Sequence, residues 1–259
     1  MAPMAAAPSA DPLLRELEEA AFAAWPAAEV RDLEGWRLRY TGPGITRRGN
    51  SVWPGAARGT RTLDARIDAA AAFYAERGVP ARVQITPLSE PTGLDAALAE
   101  RGWAPESAVS IQTAPSASIA LPEPAGVSAQ VSESLDDDWF QVAGVRSRFA
   151  EAQEAYRGFL ARIGDCAGYA LARRSGRPAA AGLGVRGGRW VGVFSMFTLP
   201  EERGRGLGRA VLGGLAAWAQ RRDAPGLYLQ VERDNPAALA LYAGAGFTER
   251  YGYHYRLAP

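Results

Sequence analysis

Residues 193–247, VFSMFTLPEERGRGLGRAVLGGLAAWAQRRDAPGLYLQVERDNPAALALYAGAGF, constrain the fold more than any other stretch of the chain. Val193 to Thr198 is a short apolar run without charge, rich in β-branched and aromatic residues, which suits a buried strand. Pro200 ends it. Arg203-Gly204-Arg205-Gly206-Leu207-Gly208-Arg209 follows. From Leu207 onward Val211, Leu215 and Trp218 recur at helical spacing, so a strand, a glycine-rich turn and a helix N-terminus are predicted in succession. The first turn of a helix carries N–H groups without intrahelical partners and the positive end of the macrodipole. An anion satisfies both, and Gly204, Gly206 and Gly208 let backbone approach it while Arg203, Arg205 and Arg209 add charge. A pyrophosphate fits best. The glycines fall as GxGxG, not as the dinucleotide fingerprint GxGxxG. The chain has no lysine, so GxxxxGK[ST] is absent too, and nicotinamide and ATP readings lose ground.

Two motifs in this stretch carry a resemblance. Arg203-x-x-Gly206-x-Gly208 matches the [QR]-x-x-G-x-[GA] signature of the GCN5-related N-acetyltransferase superfamily. At the right distance beyond it, Asn235-Pro236-Ala237-Ala238 and Leu241-Tyr242-Ala243-Gly244-Ala245-Gly246-Phe247 resemble that family's N-x-x-A-x-x-x-Y-x-x-x-G-F block. A basic loop followed by a core aromatic would explain either half alone; both blocks in order point to the family. The resemblance implies an α/β fold of the α+β type, with a mixed, mostly antiparallel sheet flanked by helices.

It also implies a mechanism. In such enzymes the strand before the phosphate loop splays from its neighbour and binds the pantetheine of acetyl-CoA; here those positions are Met196, Phe197 and Thr198. The turn from Gly204 through Arg205, Gly206, Leu207 and Gly208 to Arg209, with Arg203 before it, would hold the pyrophosphate. Asn235 would bond the cofactor arm. Tyr242 would stand near the thioether sulfur, where a phenol can protonate the departing thiolate. The acceptor amine would attack directly, with a strand N–H polarising the carbonyl oxygen. The family's glutamate base, five residues before the asparagine, is Gln230 here, and an amide cannot accept the proton. Glu232, on the same face of the strand, is the first candidate for base or water-orienter, with Glu151 and Glu154 next; a solvent-exposed strand-end charge is the other reading of Glu232. Trp139, Phe149 and Tyr156 from the first helices of the second half, with Tyr251, Tyr253 and His254 from a last hairpin, are candidates to line the acceptor pocket.

The 259 residues leave room for two domains. Twenty-nine basic residues against 28 acidic give a formal charge of +1, so no long-range field draws nucleic acid or a membrane. One cysteine, Cys166, excludes an intrachain disulfide, and with the single His254 it excludes a multi-cysteine or histidine metal site, so no metal is expected. A cytoplasmic location follows as the default.

Residues 1–10 read as a disordered tail. Leu13, Leu14, Leu17, Ala20, Ala21 and Trp25 mark one helical face, and Gly35 to Tyr40 alternates as a half-buried strand. Residues 63–77, 82–85 and 94–100 then read as helix, strand and helix before Gly102-Trp103. The same order, at nearly the same spacing, precedes Gly246-Phe247. An internal repeat is thus expected: a degenerate acetyltransferase-like domain over 11–112, a Pro- and Ala-rich linker over 113–126 and a catalytic domain over 127–259. The first copy has Gly55-Ala56-Ala57-Arg58-Gly59 in place of the signature and Leu98 in place of Tyr242, so it is expected to lack the cofactor site. The leading function is acetyl-CoA-dependent transfer to a primary amine of a small molecule, by a monomer or homodimer. Acetylation of a protein lysine or N-terminus, and a non-catalytic acyl-CoA-binding or interaction module, are the alternatives.

Overall fold

A computed structural model describes residues 11–259; the expected tail over 1–10 lies outside them. In chain order the elements are α1 (Pro12–Ala23), β1 (Glu29–Leu33), β2 (Trp36–Tyr40), β3 (Val52–Pro54), α2 (Leu63–Ala75), β4 (Arg82–Ile85), α3 (Leu94–Glu100), β5 (Ala104–Pro115), β6 (Val127–Ser132), α4 (Asp137–Phe140), α5 (Gln153–Ile163), β7 (Ala167–Arg174), β8 (Arg177–Gly187), β9 (Trp190–Thr198), α6 (Leu207–Arg221), β10 (Gly226–Glu232), α7 (Pro236–Ala243) and β11 (Thr248–Leu257). The strands form one sheet in the order β1-β2-β3-β4-β11-β5-β10-β9-β8-β7-β6.

Two parallel junctions punctuate an otherwise antiparallel sheet: β3 with β4, and β9 with β10. Each is followed by a helix and a further strand, but the further strands trade places. β5, from the first half, lies antiparallel between β10 and β11, while β11, from the second half, lies between β4 and β5. The two halves therefore complete each other's sheet. β5 runs through the expected boundary at 112/113, and Thr113, Ala114 and Pro115 of the expected linker pair with Tyr228, Leu227 and Gly226. The C-terminal aromatic segment is the single strand β11, not a hairpin; its Tyr251, Tyr253 and Tyr255 alternate inward as period-2 geometry requires.

Helices cover both faces. One face packs α6 against β6–β9 through Val211, Leu215 and Trp218, with Tyr242 and Phe247 at its margin. The other carries α1, α4 and α5, whose Leu17, Trp139, Tyr156 and Phe159, with Trp25 just past the end of α1, pack against Phe194, Tyr228 and the β11 tyrosines. A third cluster joins α2 and α3 to β2, β3 and β4 through Trp36, Ile67, Phe73 and Leu98. Glycine lets rings lie flat on the sheet: a Cβ on Gly168 would sit 2.8 Å from the Trp218 ring, and one on Gly226 only 2.3 Å from that of Trp190.

Although it belongs to the first half by sequence, α1 packs on β9, where Trp190 Nε1 donates to Glu16 at 3.0 Å and Trp25 stacks on Phe159 with centroids 3.9 Å apart. Glu18 on the same helix is buried (2 % exposed) and accepts from Trp53 Nε1 at 2.8 Å and from the Tyr251 hydroxyl. Burial pushes its carboxyl pKa up, against the opposing pull of those donors and of Arg39 and Arg48. Glu18 thus ties α1, β3 and β11 together. Its replacement by alanine leaves two buried donors without an acceptor and is expected to lower stability by about 2–4 kcal/mol, read as a shifted denaturant midpoint. Expressed alone, residues 127–259 leave the seat of β5 between β10 and β11 empty, so that fragment is expected to be insoluble or rapidly proteolysed, whereas co-expression with 11–126 rescues it.

Candidate active site

The central parallel pairing is short. β9 and β10 run in register from Trp190↔Gly226 to Val193↔Leu229 and then part, although β9 continues to Thr198 and β10 to Glu232. Each stays paired on its outer side, β9 with β8 as far as Thr198↔Ala180 and β10 with β5 as far as Glu232↔Val109. The facing backbone edges beyond Val193 and Leu229 therefore have no ladder partner across the gap.

A bulge opens the gap. The β8–β9 register shifts between Ala181 and Leu183, opposite Phe194 to Phe197, and Ser195 takes a φ of +49°, rare for a residue with a side chain. The Tyr156 hydroxyl holds it, donating to Ser195 Oγ at 2.8 Å. Gly182 is required opposite the bulge, because a Cβ there would lie 2.6 Å from Val211 Cγ1 and 2.7 Å from Met196 Sδ.

Past the gap the chain turns at Pro200–Glu202 into the glycine loop. Gly204 and Gly206 have φ of +74° and +79°, the left-handed region that glycine enters without penalty, and Gly206 is the N-cap of α6. The N-termini of α1, α2, α4 and α7 are each capped by a side chain, from Asp11, Thr62, Asp136 and Asn235. No side chain caps α3, α5 or α6, and of these three only α6 begins on the cleft wall, where its first-turn N–H groups are free for an external acceptor. This uncapped turn, with Arg203 and Arg209 also on the cleft wall, fits a pyrophosphate.

One cleft of about 1420 Å³ joins the loop to the gap and continues onto the opposite face of the sheet. Met196, Phe197, Thr198, Arg203, Gly204, Gly206, Leu207, Gly208, Arg209, Glu232, Asn235 and Tyr242 all line it. Arg205 does not; it turns to Glu202 at 3.4 Å. Asn235 spends its Oδ1 on the α7 cap, accepting from Ala238 N at 3.1 Å, which leaves its amide N–H groups for a ligand. Tyr242, 7 % exposed, has no side-chain hydrogen bond among the described residues, and burial pushes its hydroxyl pKa up to about 12. The phenol is therefore protonated throughout the neutral range and has a proton to donate. Glu232 stands at the strand end with one oxygen 3.1 Å from Arg47 Nη1, and Gln230 accepts from the Tyr253 hydroxyl at 2.7 Å.

The expected acceptor wall needs revision. Phe149 and Tyr253 line the cleft. Trp139 and Tyr156 are fully buried behind it; the Trp139 indole donates to Gly182 O at 3.0 Å, so both shape the bulge rather than the pocket. Tyr251 is committed to Glu18, and His254 packs 2.9 Å from Asp95 on the far side of β11. Glu151 and Glu154 are exposed on α5 or just before it and lie outside the cleft wall, as does the exposed Cys166. Among the described residues no group of three or more His, Cys, Asp or Glu could hold a metal, and no helix is long and apolar enough to cross a membrane. Sequence reasoning missed Trp25, Ile45, Arg47, Arg48 and Arg148, which close the far end of the cleft. The adjacent Arg47-Arg48 pair in a turn-rich stretch is the one signal among them.

If the uncapped turn is the phosphate site, Gly206→Val removes the left-handed N-cap and also drives a side chain toward Pro124, whose Cγ would lie 2.6 Å from a Cβ. Gly204→Val adds the same backbone strain with open space around the new atoms. Both are expected to weaken acetyl-CoA binding, by roughly 1–3 kcal/mol in calorimetry for Gly204→Val and by more for Gly206→Val.

Comparison with known proteins speaks to the family and the fold. Residues 12–256 match the family model described as Probable histone acetyltransferase Rv0428c C-terminal. The chain is 29% identical over 260 residues to the Uncharacterized N-acetyltransferase YobR of Bacillus subtilis (strain 168), covering 94% of this chain and 98% of that one. It is 30% identical over 255 residues to the Probable histone acetyltransferase Rv0428c of Mycobacterium tuberculosis, covering 98% of this chain and 76% of the relative. Among solved structures a GCN5-related N-acetyltransferase from Kribbella flavida superposes with a TM-score of 0.71 at 16% identity, over 95% of this chain and 94% of the other, a likeness of fold.

Proposed function

The chain belongs to the GCN5-related N-acetyltransferase family, and from that premise we propose that it moves an acetyl group from acetyl-CoA to the primary amine of a small molecule by direct attack. The observation that carries this reading is the continuous cleft, which leads from the uncapped turn of α6 through the β9–β10 gap to a walled chamber on the other face. The chamber is closed by the 43–50 loop of the first half and the loop between α4 and α5. A chamber walled on two sides suits a compact amine better than a folded protein surface.

Acetyl-CoA supplies an activated thioester. The N–H groups of Gly206, Leu207 and Gly208 would hold its pyrophosphate, with Arg203 and Arg209 beside them. The unpaired edge of β9 over Met196, Phe197 and Thr198 offers backbone donors and acceptors to an extended amide-bearing chain. A donor on that edge is aimed before reaction, so it stabilises a developing oxyanion without reorganisation. The Tyr242 hydroxyl, with no competing partner among the described residues, would donate its proton toward the sulfur. Gln230 cannot take the amine proton and its amide is fixed by Tyr253. Of the two carboxylates on the cleft wall Glu202 is engaged by Arg174 and Arg205, so Glu232, held by Arg47, would receive the proton through water.

Release of free CoA, followed against a panel of small amines and of peptides with free N-termini or lysines, tests the reading. Turnover with small amines supports it; turnover restricted to peptides refutes it. Tyr242→Phe keeps the ring, which sits 5.9 Å from that of Phe247, and removes only the proton donor. General acid catalysis contributes about 10²–10⁴-fold, so kcat is expected to fall by that factor with little change in acetyl-CoA affinity. An unaltered kcat under conditions where chemistry is rate-limiting would reduce Tyr242 to packing.

A further inference from the structure

The charges of the cleft do not cancel at its acceptor end. Arg47 is neutralised by Glu106 at 3.0 Å and Glu232 at 3.1 Å, and Arg82 by Glu106 at 2.7 Å. Glu202 is taken by Arg174 at 2.6 Å and Arg205 at 3.4 Å. Arg203 and Arg209 belong to the glycine turn at the other end. Two arginines of the cleft wall remain, Arg48 and Arg148, and neither has a carboxylate within ion-pair distance among the described residues.

Both are held in place. Arg48 rises from a loop cross-braced by Asn50, whose side chain accepts from Thr41 N at 2.9 Å and donates to Gly42 O at 2.9 Å, and by the Thr41 hydroxyl, which donates to Gly49 O at 3.0 Å. Its guanidinium carbon lies 5.4 Å from the Trp25 ring centroid and 5.2 Å from that of Phe194, the residue at which the strands part. Stacking on two rings orients the planar fork, yet its Nε is shut off from water with no acceptor. Glu18 is close enough to feel Arg48 but is occupied by Trp53 and Tyr251.

Arg148 enters from the opposite wall. α4 widens into a five-residue π-turn over Gln141–Val145, which delivers the chain to a loop pinned on both sides of Arg148. Before it the Ser147 hydroxyl donates to Ala143 O, and after it Phe149 is buried, stacked on Tyr156 at 4.0 Å. Arg148 itself is exposed on this loop, and its side chain lines the cleft. Desolvation, and then the charge of Arg48, hold its guanidinium below the ordinary arginine value, against the opposing pull of Tyr156 and Glu232.

We infer that Arg48 and Arg148 form an oxyanion clamp, so that the acceptor is a small amine bearing a carboxylate or phosphate. An oxyanion between them relieves their mutual repulsion and gives the stacked Arg48 fork the acceptor it lacks, in the bidentate geometry that guanidinium favours. The amine end of the same molecule then points toward the gap, because Phe194 abuts both the clamp and the splayed edge. This inference rests on the acceptor end of the proposed acetyltransferase cleft.

The test uses the full chain, acetyl-CoA and matched amines: ω-amino carboxylates, the aminoalkyl phosphonates of equal length, and their neutral amide counterparts. The expected result is a kcat/KM at least tenfold higher for the anionic members, the carboxylate and phosphonate arms showing which oxyanion is preferred. Arg48→Gln and Arg148→Gln are each expected to raise KM for the anionic amines tenfold or more, with a smaller change in kcat, and to erase the preference over the amides. Acetyl-CoA affinity, measured in parallel, reports whether each variant is folded; should Arg48→Gln not fold, Arg148→Gln, on a solvent-reachable loop, decides. Equal use of neutral and anionic amines by the wild type, or a preference that survives in the variants, overturns the clamp. If no amine is acetylated, the acceptor assignment falls on its own. The clamp is then read by calorimetric titration of the same amines in the presence of CoA: Arg-dependent binding of the anionic set upholds it, and absence of such binding overturns it.

Discussion

Everything in the active site depends on two strands that stop pairing. β9 and β10 are bonded for four residue pairs and then diverge, each still anchored on its outer side. Inside a sheet this is costly, because two rows of backbone groups lose their partners. The cost is spread over a bulge at Ser195, a glycine at 182 where no Cβ fits, and a buried tyrosine that holds the bulge from behind. Trp139 and Tyr156, which resemble pocket aromatics in the sequence, belong to this support. They keep the gap open rather than touch what enters it.

The gap also connects two environments of different character. On one face α6 presents an uncapped N-terminus and open glycine backbone, suited to phosphate. On the other, rings from α1, the α4–α5 loop and β11 surround arginines, with one buried glutamate behind them. That second face is built jointly by the two halves of the chain: α1 and the 43–50 loop come from the first, Phe149 and β11 from the second. A first half that lacks the glycine signature in its own loop thus still supplies one wall of the cleft.

Legibility in the sequence followed the range of the physics involved. The turn from Gly204 to Arg209 could be placed because turn conformation and helix start are local, Asn235 and Tyr242 because they fall in a block resembling the family's, and the structure brings all of these but Arg205 to one cleft. The helices over 63–75 and 94–100 and the strand over 82–85 were readable by the same local periodicity. β5 was not. Its run Ala-Pro-Glu-Ser-Ala-Val-Ser-Ile-Gln-Thr-Ala-Pro carries Ser110, Gln112 and Thr113 at buried positions, and two of them meet β11 side chains far away in sequence, Ser110 donating to Glu249 and Thr113 accepting from Arg250. For the same reason β11 read as a hairpin: period-2 alternation identifies a strand but not its neighbours. Arg48 and Arg148 sit in loops without motif, so only the assembled charge balance singles them out.

The exchange of β5 and β11 also imposes an order on how the chain can acquire its structure. β5 ends at Pro115, but the strand that separates it from β4 does not begin until Thr248. As the chain leaves the ribosome, β4 and β5 must wait, with open edges, through the synthesis of every intervening helix and strand. Domains that fold one after another during translation escape that exposure; this pair cannot, because neither sheet is whole before the last strand is made. The final ten-residue strand is thus the closing step for both halves at once, and truncations near the C-terminus are felt first in the N-terminal half.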